Sequence, residues 1–137
     1  MIHAKAVIKG EPDTPPFIMV FQYADKSDEQ IFYTSVEMIK EKLAKNLKIN
    51  TNESLVLYCA YVVDAIRAGK SVNNIEKNVS KILSHKRVMI GVPETLGKIT
   101  FEAIIDKYPK KQITFDKPIP LTNLRSGSLH EPIWIES

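Results

Sequence analysis

"NTNESLVLYCAYVVDAIRAG", residues 50 to 69, is apolar on almost every side from Leu55 to Ile66. Its β-branched residues would suit a strand, but the run is long for a strand and both of its ends carry helix signals. Asn50 and Glu53 have capping-box spacing, while Arg67 and Gly69 supply an end. The segment is therefore expected to be a helix buried on all sides. Such a helix cannot stand alone, so the rest of the chain must cover it.

The flanking segments offer that cover. Ser27 with Gln30 has the spacing of another cap, and Phe32, Val36, Ile39, Leu43 and Leu47 recur at steps of four and three, which predicts a helix from Lys26 to about Asn46. Ser71 caps a third helix striped by Val72, Ile75, Val79, Ile82 and Leu83, and Ser84 opens a short fourth that Gly91 and Pro93 stop. Outside this block the period changes to two. Ile2, Ala4, Ala6 and Ile8 alternate with His3, Lys5, Val7 and Lys9, "GEPDTPP" breaks the chain, and "FIMVFQY" resumes a β-favouring run. Ile99, Phe101, Ala103 and Ile105 alternate again, followed across the turn "DKYPKK" by Ile113 and Phe115.

The expected fold class is α+β: a small helical bundle followed by an antiparallel two-stranded ribbon, with an extra N-terminal β-type extension. The expected organisation is an extension at 1–24, a domain at 25–120 and a C-terminal tail at 121–137 that carries Trp134. The extension holds too much apolar surface to be a free tail. It is expected to join or cover the hairpin at Lys98 to Asp116, whose edge would otherwise present unpaired backbone groups.

With 137 residues the chain can bury one core of useful size. Its 44% hydrophobic and 26% charged residues are those of an ordinary folded domain. The net charge of +3 is spread over scattered lysines rather than gathered beside aromatics, which argues against a nucleic-acid partner. No window approaches the length of a membrane span, and the N-terminus does not have the pattern of a secretory signal. One cysteine, Cys59, allows no internal disulfide, so a cytoplasmic location is expected.

Residues that could carry chemistry are sparse. His3, His85 and His130 belong to no metal-ligand spacing, and "RSGS" at 125–128 does not have the strand and helix context of a phosphate loop. Cys59 lies in an apolar run, where a thiol is usually a small buried hydrophobe. An independent small enzyme using Cys59 or His85 finds no partner residues at suitable spacing. Asp64, Glu94, Glu102 and Asp106 could be gathered by folding, yet solvated surface charge is the commoner role. No catalytic, cofactor-binding or metal residue is expected in this chain.

From about Asp25 to Pro120 the sequence resembles the urease gamma subunit. The resemblance is carried in order by "AKNLKINTNESLVL", "DAIRAGKSV", "VMIGVPE" and "ITFEAIIDKYPKKQITFDKPI". It implies a structural, non-catalytic chain of a nickel-dependent urease, with nickel and the active site on a separate alpha chain. The partners it implies are the alpha and beta chains, with self-association in a three-fold assembly. Members of the family begin almost at the first helix, so residues 1–24 depart from the pattern. That departure suggests the alternative of a stand-alone binding or scaffolding module. Within "VMIGVPE", Gly91 is expected to take a left-handed conformation and Pro93 to hold Val92 extended.

Overall fold

Alternation along four segments builds one sheet. The computed structural model describes residues 1–12 and 14–120, so the tail at 121–137, with "RSGS", His130 and Trp134, lies outside the described residues. The strands β1 (Ile2–Lys9), β2 (Phe17–Tyr23), β3 (Lys98–Ile105) and β4 (Lys111–Asp116) are antiparallel in the order β2-β1-β3-β4. Ile2 sits opposite Tyr23 on one side and Ile105 on the other, and this register continues along β1. It sends Ile2, Ala4, Ala6, Ile8, Phe21, Ile99, Phe101, Ala103, Ile105, Ile113 and Phe115 to one buried face. A slip of one residue would turn that whole set outward.

The ribbon is therefore not two-stranded. The N-terminal strands cover the edge of β3 within the same molecule, and β1 becomes an interior strand. Periodicity shows which face a residue takes but not which strand lies beside it, so the pairing could be expected only from the need to cover an edge.

On the buried face lie the helices. α1 (Lys26–Ala44) and α2 (Thr51–Arg67) run antiparallel, as their side-chain ties show: Lys42 meets Glu53 at 2.6 Å at one end, and Arg67 meets Glu29 at 2.9 Å at the other. Leu55, Leu57, Tyr58, Cys59, Ala60, Val62 and Val63 of α2 are fully buried between α1 and the sheet. The Tyr58 and Tyr61 rings lie 5.8 and 6.1 Å from that of Phe115. α3 (Val72–Asn78) packs beside β4, where the Thr114 backbone N–H donates to Glu76 at 2.7 Å and closes that outer edge.

Most caps follow the sequence. Glu53 N–H donates to Asn50 Oδ1 at 2.8 Å and Asn50 N–H to Glu53 Oε1 at 3.0 Å, which forms the expected capping box of α2. Gly69, at φ 75, ends that helix while Lys70 N–H returns to Ala65 O. α1 differs at both ends. Its cap is Asp25, which accepts from Asp28 N–H at 2.9 Å, and not Ser27. Its stop is Asn46, left-handed at φ 60, with Leu47 N–H returning to Lys42 O. Leu47 therefore leaves the helical stripe and is exposed.

The segment before β3 is more irregular than expected. Val79–Lys81 and His85–Arg87 are single 3₁₀ turns, so Ser84 opens no regular helix. Val88 bridges Ile49, and Gly91 is left-handed at φ 93, as the sequence suggested. Val92 is not extended: Val92–Thr95 forms a helical turn, α4. Pro93 is tolerated there because a helix's first turn asks for no internal N–H donor. This turn seats the end of β1. A Cβ at Gly10 would stand 2.8 Å from the Thr95 carbonyl oxygen, so only glycine allows that approach.

Leu55 is fully buried in α2, and a cavity left there can collapse only by moving that helix against its cover. Leu55→Ala should cost about 2–5 kcal/mol in urea denaturation. A loss below about 1 kcal/mol would mean that the helix is not enclosed as described.

Candidate functional site

The densest group of ionisable side chains gathers where α1, α2 and the β3–β4 turn meet the start of β1. Arg67, the last residue of α2, donates from Nε to Asp106 Oδ2 at 2.9 Å and from Nη2 to Asp106 Oδ1 at 3.0 Å. Nη2 also donates to Glu29 Oε1 at 2.9 Å, and Nη1 to the Tyr33 hydroxyl at 3.0 Å. The Met1 ammonium reaches Glu29 at 2.9 Å and Asp106 at 2.8 Å. Tyr33 in turn donates to Asp64 Oδ1 at 3.4 Å.

The electrostatics follow from these contacts. Hydrogen bonds from Arg67, then from the ammonium, hold the Asp106 carboxyl down to about 2. Burial would raise the Glu29 carboxyl, but bonds from the ammonium and Arg67 outweigh it and hold that carboxyl below its ordinary range. The bonds to Asp106 lead those that raise the Arg67 guanidinium. Burial, reinforced by Asp64, pushes the Tyr33 hydroxyl up to about 12. Glu29 and Asp106 are ionised at neutral pH, and Arg67 and the Met1 ammonium are paired with them. The cluster ties elements together rather than holding a proton ready for transfer.

Of the four carboxylates singled out in the sequence, the fold thus brings Asp64 and Asp106 to one cluster through Tyr33 and Arg67. Glu102 stands across from Lys5 and Gln112 on the sheet, and Glu94 lies in the first turn of α4. His3 is on β1 and His85 in the 3₁₀ turn after Ser84. Among the described residues no three His, Cys, Asp or Glu side chains are grouped to hold a metal. Cys59 is fully buried, and that burial pushes its thiol far up, so it offers no thiolate. Sequence reading missed Glu29 and Arg67 as partners. The available signal was position: Glu29 precedes Phe32 by three, which places a carboxylate on the apolar face of α1.

Surfaces suited to recognition lie beside and beyond this cluster. A shallow groove of ≈ 630 Å³ runs along the outward face of α1, lined by Lys26, Glu29, Gln30, Tyr33, Thr34, Glu37, Met38 and Glu41. Its carboxylates already have partners in the chain, with Glu37 near Lys40 at 3.6 Å and Glu41 on Lys45 at 2.9 Å. Another such surface is the "VMIGVPE" loop. Val88 and Val92 are buried anchors on either side of Met89 and Ile90, and Ile90 is 101% exposed. A β-branched apolar side chain held out from a pinned loop is suited to contact with another protein and has no chemistry of its own. Among the described residues no helix is long and apolar enough to cross a membrane.

Comparison with known proteins gives these surfaces a context. A family model described as "Urease, gamma subunit" matches residues 21–119. The urease subunit gamma of Halalkalibacterium halodurans is 33% identical over 106 residues, covering 77% of this chain and 91% of that protein. That of Laribacter hongkongensis is 30% identical over 92 residues, covering 67% and 91%. That of Prochlorococcus marinus is 27% identical over 94 residues, covering 69% and 93%. All of β1 and the first part of β2 precede the span that the family model matches.

The Arg67 cluster makes a pH-dependent prediction. Asp106 and Glu29 have lowered values in the folded chain, so their contribution to stability is present above the ordinary carboxylate values of 3.8 and 4.5 and is lost as pH falls toward about 2. Arg67→Met should cost roughly 1–3 kcal/mol at neutral pH, less than for a fully buried pair because Asp106 is partly exposed to screening solvent. Urea denaturation across pH should show the gap between wild type and variant narrowing below pH 4.5. A gap that stays constant down to pH 2 would show that the cluster is not its source.

Proposed function

The chain belongs to the urease gamma-subunit family, and we propose that it acts as the structural, non-catalytic gamma subunit of a cytoplasmic, nickel-dependent urease. In this reading urea hydrolysis to ammonia and carbamate runs on a separate alpha chain. The alpha and beta chains are the partners, in an assembly with three-fold symmetry. The observation that carries it is the family match across residues 21–119, which takes in α1 to α4 and the β3–β4 hairpin.

The side chains support the same division of labour. The best-connected ionisable groups are used within the chain: Arg67, Glu29 and Asp106 on one another, Glu53 on Lys42 and Asn50, and Arg87 on the Leu43 carbonyl at the end of α1. The donor set does not fit nickel, because the histidines of the described region stand on separate elements and Cys59 is enclosed. The metal would be held by the alpha chain. This chain's part is then steric, since a pinned loop presenting Met89 and Ile90 fits a socket in a neighbour.

Co-expression with alpha and beta chains tests the reading. The chain should co-purify with both and show no urea hydrolysis by itself. Ile90→Asp should weaken the association by at least tenfold and leave the chain's own melting temperature within about 2 °C, since the side chain is exposed. Failure to co-purify would favour the stand-alone module, and hydrolysis by the isolated chain would refute the structural role.

A further inference from the structure

β2 is an edge strand whose outer side is covered by none of the described residues. Asp106 N–H donates to Met1 O at 2.8 Å, so Met1 and Asp106 form a hydrogen-bonded pair and the odd residues of β1 bond toward β3. The even residues must then bond toward β2, which uses the backbone groups of Phe17, Met19, Phe21 and Tyr23. The N–H and C=O groups of Ile18, Val20 and Gln22 face away from the sheet and have no partner among the described residues. Ile18 and Val20 are also 57% and 55% exposed at their side chains.

Sheet edges are ordinarily guarded by a charge, a proline or a covering element. The opposite edge has such a guard, because Glu76 accepts the Thr114 N–H. Along Phe17–Tyr23 there is neither a charged residue nor a proline. We propose that this edge pairs with the same strand of a second copy of the chain, antiparallel about a two-fold axis through Val20.

The pattern of open groups is what selects a second copy as the occupant. Val20 is the central residue of β2, and the unbonded positions lie symmetrically about it. The axis places Val20 against its own copy and Ile18 against Gln22 of the other chain. All three pairs join positions whose N–H and C=O are open, so each forms two hydrogen bonds without shifting register. No like charges meet. The nearest, Lys5 beside Val20 and its copy, would stand three strand spacings apart, about 14 Å, which is beyond the screening length at physiological salt. The result is one sheet of eight strands. A single strand pair buries less than the roughly 800 Å² per partner of a tight complex, so the dimer is a weak one. Such a two-fold contact can also link separate three-fold assemblies, although it does not depend on the urease reading.

Sedimentation of the full chain from micromolar to near-millimolar concentration tests this. The mass should rise from 15.5 kDa toward twice that value. Val20→Lys, at an exposed position, should hold the mass at the monomer value and, because the new charge stands across from Lys5, lower the melting temperature by less than about 5 °C. Ile18→Lys serves as the second variant should the first not fold. Amide exchange should slow at Ile18, Val20 and Gln22 as concentration rises, and should not change at Thr114. A monomer throughout the range overturns the proposal, as does a dimer that both lysine variants retain. Protection of those three amides only after alpha and beta chains are added would assign the edge to a foreign strand, and would equally overturn it.

Discussion

β1 is bonded along both edges, and the rest of the molecule is arranged around that double pairing. Between β2 and β3 its even residues bond one way and its odd residues the other, while its inward row of Ile2, Ala4, Ala6 and Ile8 faces the helices. Because the side-chain period is two, a slip of one residue would turn this row away from the core. In the register observed the two alanines meet Phe101 and Ala103 of β3. They leave a low strip on the face that receives α2, a helix whose own surface has almost no polar side to offer water. Past Lys9, Gly10 lets the strand end close against the α4 turn. At the other end, Ile2 and Ile105 bring the neighbouring residues Met1 and Asp106 to Glu29 and Arg67. One strand therefore fixes the sheet order and the position of the ion cluster.

Much of this was legible in the sequence. The caps at Asn50, Gly69 and Ser71 and the alternation of all four strands were readable because each is a local rule involving residues within a turn of one another. What escaped was decided at longer range or by competition between local rules. Ser27 and Asp25 are both acceptable caps, and the fold uses the earlier. Leu47 continues a helical stripe by spacing, but Asn46 can take the left-handed position that ends a helix, and that preference won. Pro93 disfavours a helical residue before it, yet the first turn accepts proline at no cost in hydrogen bonds, and Val92 turned helical. The Glu29–Arg67–Asp106 cluster joins residues far apart in the chain, and only the carboxylate on an apolar helix face hinted at it.

The proposed division of labour has the same physical basis. The most densely paired charged groups, Arg67, Glu29 and Asp106, tie the chain's own elements together, and its most distinctive loop presents apolar side chains between buried anchors. Family membership supplies the biological setting, a urease, while residues 1–20 lie before the matched span and supply β1 and the first part of β2. Adding β1 covers the edge of β3, and adding β2 moves the open edge outward to Ile18, Val20 and Gln22.

Native-state hydrogen exchange read residue by residue tests the central position of β1 most directly. In the isolated full-length chain at low concentration, the amides of Ala4 to Ile8 should exchange as slowly as those of Phe101 to Ile105, because both strands open only when the sheet does. If the β1 amides instead exchange like a frayed terminus while β3 and β4 remain protected, β1 is an appendage and the sheet does not depend on it.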